Sequence, residues 1–322
     1  MKKALSLVLC VVMVMAMLVG CGAKEASADD YPSKAVQVIV PFTAGGGTDL
    51  VTRAIVDAAK DSFPKGISVE NKTGGGGAIG MVAGANAAPD GTVLTTVCVE
   101  LTTLPHTGTG ATLQHDSFKP VLMMNSAYSV LSVKADAPYE SLSDFIEAAK
   151  TQDLQIGNSG VGAIWHLAAA ALGQKAGVEF VHVPFNGAAD AVTSLLGGHI
   201  DAITVSYPEV SAQVEAGEMK VLAVLAPERL AGIPDVPTAK EEGFDVAVGT
   251  WRGIGVPKET PDEIVDKIYE IFTTAAETEG FKTFMANNNL DIDIMNPEEF
   301  AARIASDNEM FKVLISDLGL AQ

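Results

Sequence analysis

Residues 38–54 read VIVPFTAGGGTDLVTRA, and this stretch predicts a strand, a glycine loop and the start of a helix. The apolar run Val36–Val40 is long enough for a buried strand, and Pro41 ends it because proline has no N–H to donate to a sheet. Gly45–Gly47 allow the backbone to turn tightly and to approach another group closely. Thr48-Asp49 is typical of a helix start, and apolar residues follow at helical spacing.

The start of such a helix suits a small anion. Its first N–H groups have no partner within the helix, and the helix dipole gives this end a partial positive charge. The stretch is not a P-loop, because no Gly-Lys-Ser/Thr motif follows and residues 41–52 contain neither Lys nor Arg. An anion would therefore be held here by backbone groups.

Composition and charge restrict the function classes. The chain has 322 residues, of which 48% are hydrophobic and 19% charged, enough for one large domain or two medium ones. The formal net charge is −19, or −21 without Lys2 and Lys3. No basic face is expected to neutralise phosphates, so nucleic acid is excluded as a partner. An acidic protein also does not steer anions over long distances, so local dipoles would have to hold an anionic ligand.

The N-terminus predicts export. Residues 1–20 form a predicted lipoprotein signal peptide, in which Lys2 and Lys3 precede an apolar run too short for a membrane span. The run ends in Leu18-Val19-Gly20-Cys21, which resembles a lipobox and makes Cys21 the predicted lipidation site; an ordinary signal peptide is the alternative. Residues 21–30 are a polar tether. We expect a protein anchored by lipid at the outer face of the bacterial cytoplasmic membrane or in the periplasm.

The number and positions of the cysteines agree with the predicted export and lipid anchoring. The chain has three cysteines, and cleavage of the leader and lipidation of Cys21 would leave Cys98 alone. A disulfide framework is therefore not expected, even in an oxidising compartment.

The opening pattern recurs along the chain. Glycine loops between a predicted strand and a predicted helix occur at 41–49, 73–80, 157–163 and 185–189. The order of elements between 36 and 99 repeats between 154 and 205, which predicts an α/β fold of two βαβαβ halves with parallel sheets. All four loops then lie at the carboxyl ends of strands, where ligands bind.

Two crossovers are expected to divide the chain. Residues 118–133 read as two strand-like pieces interrupted at Asn125-Ser126, and residues 247–256 are expected to cross back. Domain 1 is predicted to comprise residues 31–126 and 250–322, and domain 2 residues 127–249. Predicted capping boxes at Thr260–Glu263 and Asn296–Glu299 begin C-terminal helices with a packing role.

The loops predict a binding cleft for a carboxylate. They contain no Lys or Arg, although Lys72 lies at the edge of one loop, so backbone N–H groups, hydroxyls and water would bind the anion. A single glycine loop is a common turn and does not by itself indicate a ligand site. Four loops at equivalent positions favour a ligand site between two domains.

Several motifs resemble, in the same order, the solute-binding subunits of tripartite tricarboxylate transporters, also called Bug-type receptors. They are VPFTAGGGTD (40–49), NKTGGGGAIG (71–80), the Pro89-Asp90-Gly91 turn, VHVPFNGAAD (181–190), LLGGHIDA (195–202) and IPDVPTAKEEGF (233–244). The resemblance runs from Tyr31 to the C-terminus. It implies a two-domain periplasmic-binding-protein fold (Venus flytrap, type II), with a parallel-dominated sheet in each domain and two crossover strands. It also implies a receptor that closes on small organic acids and passes them to a large and a small membrane subunit. We expect a monomer without a cofactor, and the five histidines show no spacing typical of a metal site.

The resemblance implies that the first loop of each domain grips one carboxylate, partly through water. The residues expected to bind the ligand are Phe42, Thr43, Ala44, Gly45, Gly46, Thr48, Asn158, Ser159, Gly160, Gly162, Ala163, Ile164, His166, Asn186, Gly187, Ser206, Trp251 and Arg252. For His166 a packing role is an equal alternative, and for Trp251 a core position is the default.

Two positions depart from the family pattern. Asn186 stands where family members often have lysine, and Arg252 stands where they often have an aromatic residue. Arg252 is the one cation expected near the cleft, where its planar fork would suit a second carboxylate. An interdomain ion pair is the alternative role. Which carboxylate is bound, a mono-, di- or tricarboxylate, stays open.

The sequence bears on three other functions. Residues 75–80 spell G-x-G-x-x-G, with Glu100 about twenty residues further on, but the preceding strand is short and an exported protein rarely meets nicotinamide cofactors. An exported enzyme acting on an organic acid lacks a constellation of nucleophile and base. In particular, Val161 stands where a nucleophile elbow around Ser159 needs its second glycine. A receptor that presents its ligand to a sensor kinase remains an alternative to a transport receptor.

Overall fold

The structure is a computed structural model that describes residues 31–109 and 112–321. The predicted signal peptide, the tether and the lipidation site Cys21 lie outside the described residues. None of the helices within the described ranges is long and apolar enough to cross a membrane.

The elements follow in chain order. The first part contains β1 (Val36–Val40), α1 (Gly47–Ala59), β2 (Ile67–Asn71), α2 (Ala78–Ala85), β3 (Val93–Cys98) and β4 (Phe118–Lys134). The second part contains α3 (Leu142–Ala149), β5 (Gln155–Asn158), α4 (Ile164–Ala176), β6 (Val181–Pro184), α5 (Ala188–Leu196), β7 (Ala202–Ser206), α6 (Ser211–Glu215) and β8 (Met219–Leu225). The last part contains β9 (Gly249–Pro257), α7 (Asp262–Ala276), α8 (Glu279–Asn287) and α9 (Pro297–Asp317). Short 3-10 turns lie at Lys60–Ser62, Gly75–Gly77, Val99–Thr102 and Tyr207–Glu209.

The strands form two groups with the same topology. Strand β1 pairs in parallel with β2 and β3, and β5 pairs in parallel with β6 and β7. The sheet order is β2-β1-β3-β9-β4-β7-β5-β6, and β8 pairs with β4. We call the group β2-β1-β3-β9 with its helices the first lobe, and the group β6-β5-β7-β8 with its helices the second lobe. The predicted repeat is confirmed, because the first strand of each repeat lies at the centre of its parallel group.

Strand β4 belongs to both lobes. Its residues 118–128 pair antiparallel with β9, and its residues 129–134 pair antiparallel with β7 and β8. The prediction of two strand pieces interrupted at Asn125-Ser126 is wrong. The strand continues because Asn125 is buried and its side chain is paired with Arg252 and with the carbonyl of Asp291. Contacts between the lobes join the chain from residue 32 onward into one compact unit, and the domain boundaries stay a prediction.

The C-terminal helices pack on the first lobe and reach β4. Helix α9 begins with the predicted capping box, in which the Asn296 side chain accepts from Glu299 N and Glu299 accepts from Asn296 N. The capping box predicted at Thr260 is wrong. Helix α7 begins at Asp262 with Pro261 as its N-cap, so the buried Thr260 lies one residue too early to cap it.

Candidate functional site

A small cavity lies where the two lobes meet. It is lined by Phe42, Gly46, Gly47, Thr48, Glu100, Ser159, Ile164, Trp165, Ala188, Glu209, Thr250 and Arg252. The N-termini of α1, α4 and α5 all open onto it, as expected for the carboxyl ends of parallel strands. The volume of about 20 Å³ available to the centres of water molecules has room for one or two waters, so the lobes are closed.

The N-terminus of α1 already holds a carboxylate of the protein. Gly47 N donates to Glu209 Oε1 at 3.0 Å, and Glu209 lies in the 3-10 turn after β7 of the second lobe. Glu209 Oε2 accepts from the backbone N and the hydroxyl of Ser206, both at 2.9 Å. Both oxygens of Glu209 therefore have donors, and Ser206 orients this carboxylate rather than lining the cavity.

The N-terminus of α4 holds the second carboxylate in the same way. Ile164 N donates to Glu100 Oε1 at 3.1 Å, and Glu100 lies in the 3-10 turn after β3 of the first lobe. Each lobe thus places a carboxylate, from the turn after its third parallel strand, at the N-terminus of the helix that follows the central parallel strand of the other lobe. Such contacts favour closure because they satisfy N–H groups that have no partner within their own helix.

Glu100 differs from Glu209 in one respect. Its Oε2 is buried and has no hydrogen-bond partner within the part of the chain that the structure describes. Burial raises the pKa of Glu100 to about 7, and the nearby Glu209 also acts upward, while the Ile164 N–H and Arg252 act in the opposite direction. A buried oxygen without a hydrogen-bond donor destabilises the fold, so Oε2 of Glu100 is a polar atom at the cavity whose hydrogen bonding the protein itself leaves unsatisfied.

Arg252 on β9 joins the lobes from the back of the cavity. Its side chain is buried; Nε donates to Thr48 Oγ1 at 3.1 Å and Nη1 donates to Asn125 Oδ1 at 2.7 Å. Its Nη2 lies 3.7 Å from Glu209 Oε1, which is longer than a hydrogen bond. Arg252 therefore lies at the cavity, as expected, and also forms the ion pair between the lobes that was its alternative role.

Trp251 lies on the other face of β9, because side chains alternate along a strand. Its indole Nε1 donates to Asp307 Oδ2 at 2.7 Å, and its ring packs edge-on against Phe300 with the ring centroids 5.0 Å apart. The structure places Trp251 in the core between β9 and α9, away from the cavity. Thr250 and Arg252 are the residues of this strand that line the cavity.

The remaining predicted residues fall into three groups. Phe42, Gly46, Thr48, Ser159 and Ile164 line the cavity. Ala44, Gly45 and Asn186 are exposed. Thr43, Asn158, Gly160, Gly162, Ala163, His166 and Gly187 surround the cavity or form the contact between lobes without lining it.

His166 shapes the loop of the second lobe. Its Nδ1 accepts from Gly162 N at 3.2 Å, and its ring lies edge-on to His182 with the centroids 4.5 Å apart. Burial, with a smaller effect of His182, lowers the pKa of His166 to about 4. His166 is thus neutral at neutral pH and supports the loop by accepting a backbone N–H, as does Asn158 Oδ1 for Gly160 N at 3.1 Å.

Residue patterns alone missed Glu209 and assigned Glu100 to a different role. The sequence patterns indicated Glu100 only as the acidic residue of a dinucleotide motif, and no pattern indicated a role for Glu209. The repeat itself was the signal that could have found them, since both follow the third parallel strand of a repeat. Equivalent strands end on the same side of a doubly repeated sheet, so both turns had to reach the cleft.

The glycine loops make the closed state possible. Gly76 in the first lobe has φ +62°, and a Cβ there would lie 2.9 Å from Val161 O in the second lobe. A Cβ on Gly160 would lie 2.8 Å from the Cα of Gly76. The backbones of the two lobes are therefore in direct contact, and any side chain at these glycines separates them.

We expect Gly76→Ala to weaken ligand binding and to shift the protein toward an open state. Gly177→Ala is the matched control, because Gly177 has φ +66° and nothing within 4 Å of the Cβ position. Both variants should lose about 1 kcal/mol of stability from the left-handed backbone. Only Gly76→Ala should increase the radius of gyration in small-angle scattering; equal scattering and affinity of both variants would contradict a contact that limits closure.

Comparisons with known proteins agree with this architecture. Residues 51–320 match the model of the tripartite tricarboxylate transporter family receptor. A protein of Cupriavidus necator encoded in the 5′ region of gbd is 31% identical over 303 residues, covering 92% of this chain and 91% of the relative. The periplasmic binding protein BugD has a TM-score of 0.84 and 29% identity, over 90% of this chain and 99% of BugD. MatC of Rhodopseudomonas palustris, solved with bound malate, has a TM-score of 0.82 and 25% identity, over 88% of this chain and 100% of MatC. The fold is thus that of two-domain periplasmic binding proteins, and the chain belongs to the tripartite tricarboxylate transporter receptor family.

Proposed function

We propose that this protein is an extracytoplasmic receptor that captures a small organic carboxylate between its two lobes. It then delivers the acid to the large and small membrane subunits of a tripartite tricarboxylate transporter. Membership of the receptor family supports this role, and so does the likeness to MatC, whose structure contains malate. Because the family consists of binding proteins, its membership supports binding of the acid rather than its chemical conversion, and we assign no catalytic step.

The observation that carries the proposal is the position of Arg252. Its guanidinium is buried at the cavity beside the N-terminus of α1, and Nη2 is not within hydrogen-bond distance of Glu209. A carboxylate entering here would meet a guanidinium that is held in place by Thr48 and Asn125. Preorganised arginine donors bind carboxylates with charge-assisted hydrogen bonds.

Ligand entry requires the lobes to separate, because the closed cavity has room only for water. The chain passes between the lobes in β4 and β9, which run side by side between residues 118–128 and 249–257. We assign the hinge to the positions near Tyr128 and Gly249, where the pairing of β4 changes from one lobe to the other. Hinge motion at a few such residues is the usual mechanism of closure in binding proteins.

The test uses protein produced without residues 1–30 and purified without added ligand. Mass spectrometry of the denatured protein should release an organic acid. Titration calorimetry of the stripped protein should then show binding of that acid. Absence of any bound acid, together with no binding across a panel of short mono-, di- and tricarboxylates, would contradict the proposed function.

The lipid anchor has its own test. We expect Cys21→Ser to lose lipid labelling and to leave the membrane fraction or remain unprocessed, because a thiol must accept the lipid. Cys98→Ser is the matched control, since Cys98 is buried in β3 and burial raises the pKa of its thiol. Normal labelling of the Cys21→Ser variant would show that the anchor lies elsewhere.

A further inference from the structure

The charges around the cavity identify a property of the ligand that the family relationship leaves open. Two carboxylates, Glu100 and Glu209, and one guanidinium, Arg252, line the cavity. Each of the three helix N-termini adds about half a positive charge, and those of α1 and α4 are already in contact with one of the carboxylates. The walls are therefore close to neutral overall, which suits a ligand without a large net charge.

Glu100 supplies the second observation. Its Oε1 is occupied by Ile164 N, whereas Oε2 is buried without a donor, and Glu100 lines the cavity. Glu209 has no unpaired oxygen, because Gly47 and Ser206 supply donors to both of its oxygens. An ionised carboxylate oxygen only accepts hydrogen bonds, so a ligand group that binds the ionised form of Glu100 at Oε2 is a donor.

We propose that the ligand carries a hydrogen-bond-donating nitrogen beside its carboxylate, and that Glu100 Oε2 accepts from this nitrogen while Arg252 binds the carboxylate. The ligand class is then a zwitterionic amino acid rather than a di- or tricarboxylate. This inference rests on the proposed function, because it needs the same cavity and the same carboxylate contact. It assigns Glu100 as the residue that determines specificity.

A dianion fits the cavity less well for a physical reason. Its second carboxylate would face Glu100 and Glu209, and like charges in a buried site repel strongly. Ser159 adds a further polar contact, because its buried hydroxyl lines the cavity and has no partner among the described residues. An ammonium group can donate to Glu100 and to the hydroxyl oxygen of Ser159 at once, since it carries three donors.

The test compares matched trios of acids with one chain length. Each trio contains the amino acid, its deamino analogue and the dicarboxylate, as in 2-aminobutyrate, butyrate and succinate. In titration calorimetry the wild-type protein should bind the amino member at least ~10-fold more tightly than the other two, because only that member satisfies the buried oxygen. Tighter or equal binding of the dicarboxylate would overturn the inference.

Glu100→Gln should reverse this preference. The glutamine oxygen can still accept from Ile164 N, but its amide NH2 replaces the accepting oxygen with donors. We expect at least ~10-fold weaker binding of the amino member and unchanged or tighter binding of the dicarboxylate. Glu209→Gln is the matched control: it removes the other cavity carboxylate but leaves Glu100 Oε2 in place, so the amino member should keep its advantage over the deamino analogue, while binding of the dicarboxylate should tighten.

The number of protons released on ligand binding distinguishes a binding role of Glu100 from a purely structural one, because a structural role would leave this number unchanged. Unliganded Glu100, with a pKa of about 7, is partly protonated at neutral pH. An ammonium group beside it favours the ionised form, so binding of the amino member should release protons, whereas a carboxylate there should cause proton uptake. Calorimetry in two buffers of different ionisation enthalpy measures the sign, and Glu100→Gln should abolish it.

The outcomes separate the inference from the proposed function. Binding of a dicarboxylate in preference to its amino analogue, or an unchanged preference in a folded Glu100→Gln protein, overturns the inference and leaves the carboxylate receptor intact. Circular dichroism and thermal unfolding verify that the variant is folded. If no member of any trio binds and no acid is released from the purified protein, the proposed function and the inference fall together.

Discussion

Replacing Arg252 with methionine is expected to abolish ligand binding and to lower the free energy of unfolding by about 3 kcal/mol. The side chain is buried and donates to Thr48 and Asn125, and it is the nearest cation to Glu209 that the structure describes. Its removal leaves a buried carboxylate without a counter-charge and two buried oxygens without donors. Both losses are expensive in a low-dielectric interior.

Chemical denaturation measures the stability effect, with Arg229→Met as the matched control. Arg229 also pairs with a carboxylate, Glu241, but both side chains are largely exposed, so this variant should unfold close to the wild type. Adding Glu209→Gln to Arg252→Met should restore part of the lost stability, because it removes the uncompensated charge. Normal stability of Arg252→Met would mean that the buried arginine does not hold the lobes together.

Gly47→Ala is expected to weaken ligand binding at least ~10-fold. A Cβ at this position would lie 2.8 Å from Arg252 Nη2 and 3.0 Å from Glu209 Oε1. Neither neighbour can move freely, because Arg252 is bonded to Thr48 and Asn125 and Glu209 is bonded to Ser206. The methyl group therefore disturbs the ion pair and the α1 N-terminus at the same time.

Gly46→Ala is the matched comparison one residue earlier. The nearest atom to a Cβ there is Thr43 O at 3.6 Å, which is an ordinary contact, and the backbone φ of −77° suits alanine. We expect a loss of at most a few-fold in affinity, measured by titration calorimetry with the acid that the protein releases. Equal losses in the two variants would show that α1 acts through its backbone conformation rather than through the groups that face Gly47.

Much of the architecture follows from local patterns. The run Val36–Val40, the glycine loop after it and the helix start at Gly47 are decided by residues close together in the chain. The same holds for the second repeat, from β5 to β7, and for the cap of α9 at Asn296. These features depend on short-range sterics and hydrogen bonding, which a sequence displays directly.

The prediction of a strand break at Asn125 was wrong for a different reason. A polar pair within an apolar run is typical of a break between strands, and here the run continues because a distant residue satisfies the side chain. Asn125 accepts from Arg252, which is 127 positions away in the chain. No local pattern contains that partner, so propensity predicted an interruption where tertiary pairing made a buried strand.

The sequence by itself determined the repeat, the α/β class, the position of the glycine loops and the receptor family. Only the tertiary structure decided what the helix N-termini hold. The α1 and α4 termini each meet a carboxylate of the other lobe, Glu209 and Glu100, and Arg252 lies buried between Thr48, Asn125 and Glu209. The reason is physical: helix and strand signals arise from neighbours in the chain, whereas burial and charge pairing depend on which residues the closed lobes bring together, and that depends on the whole fold.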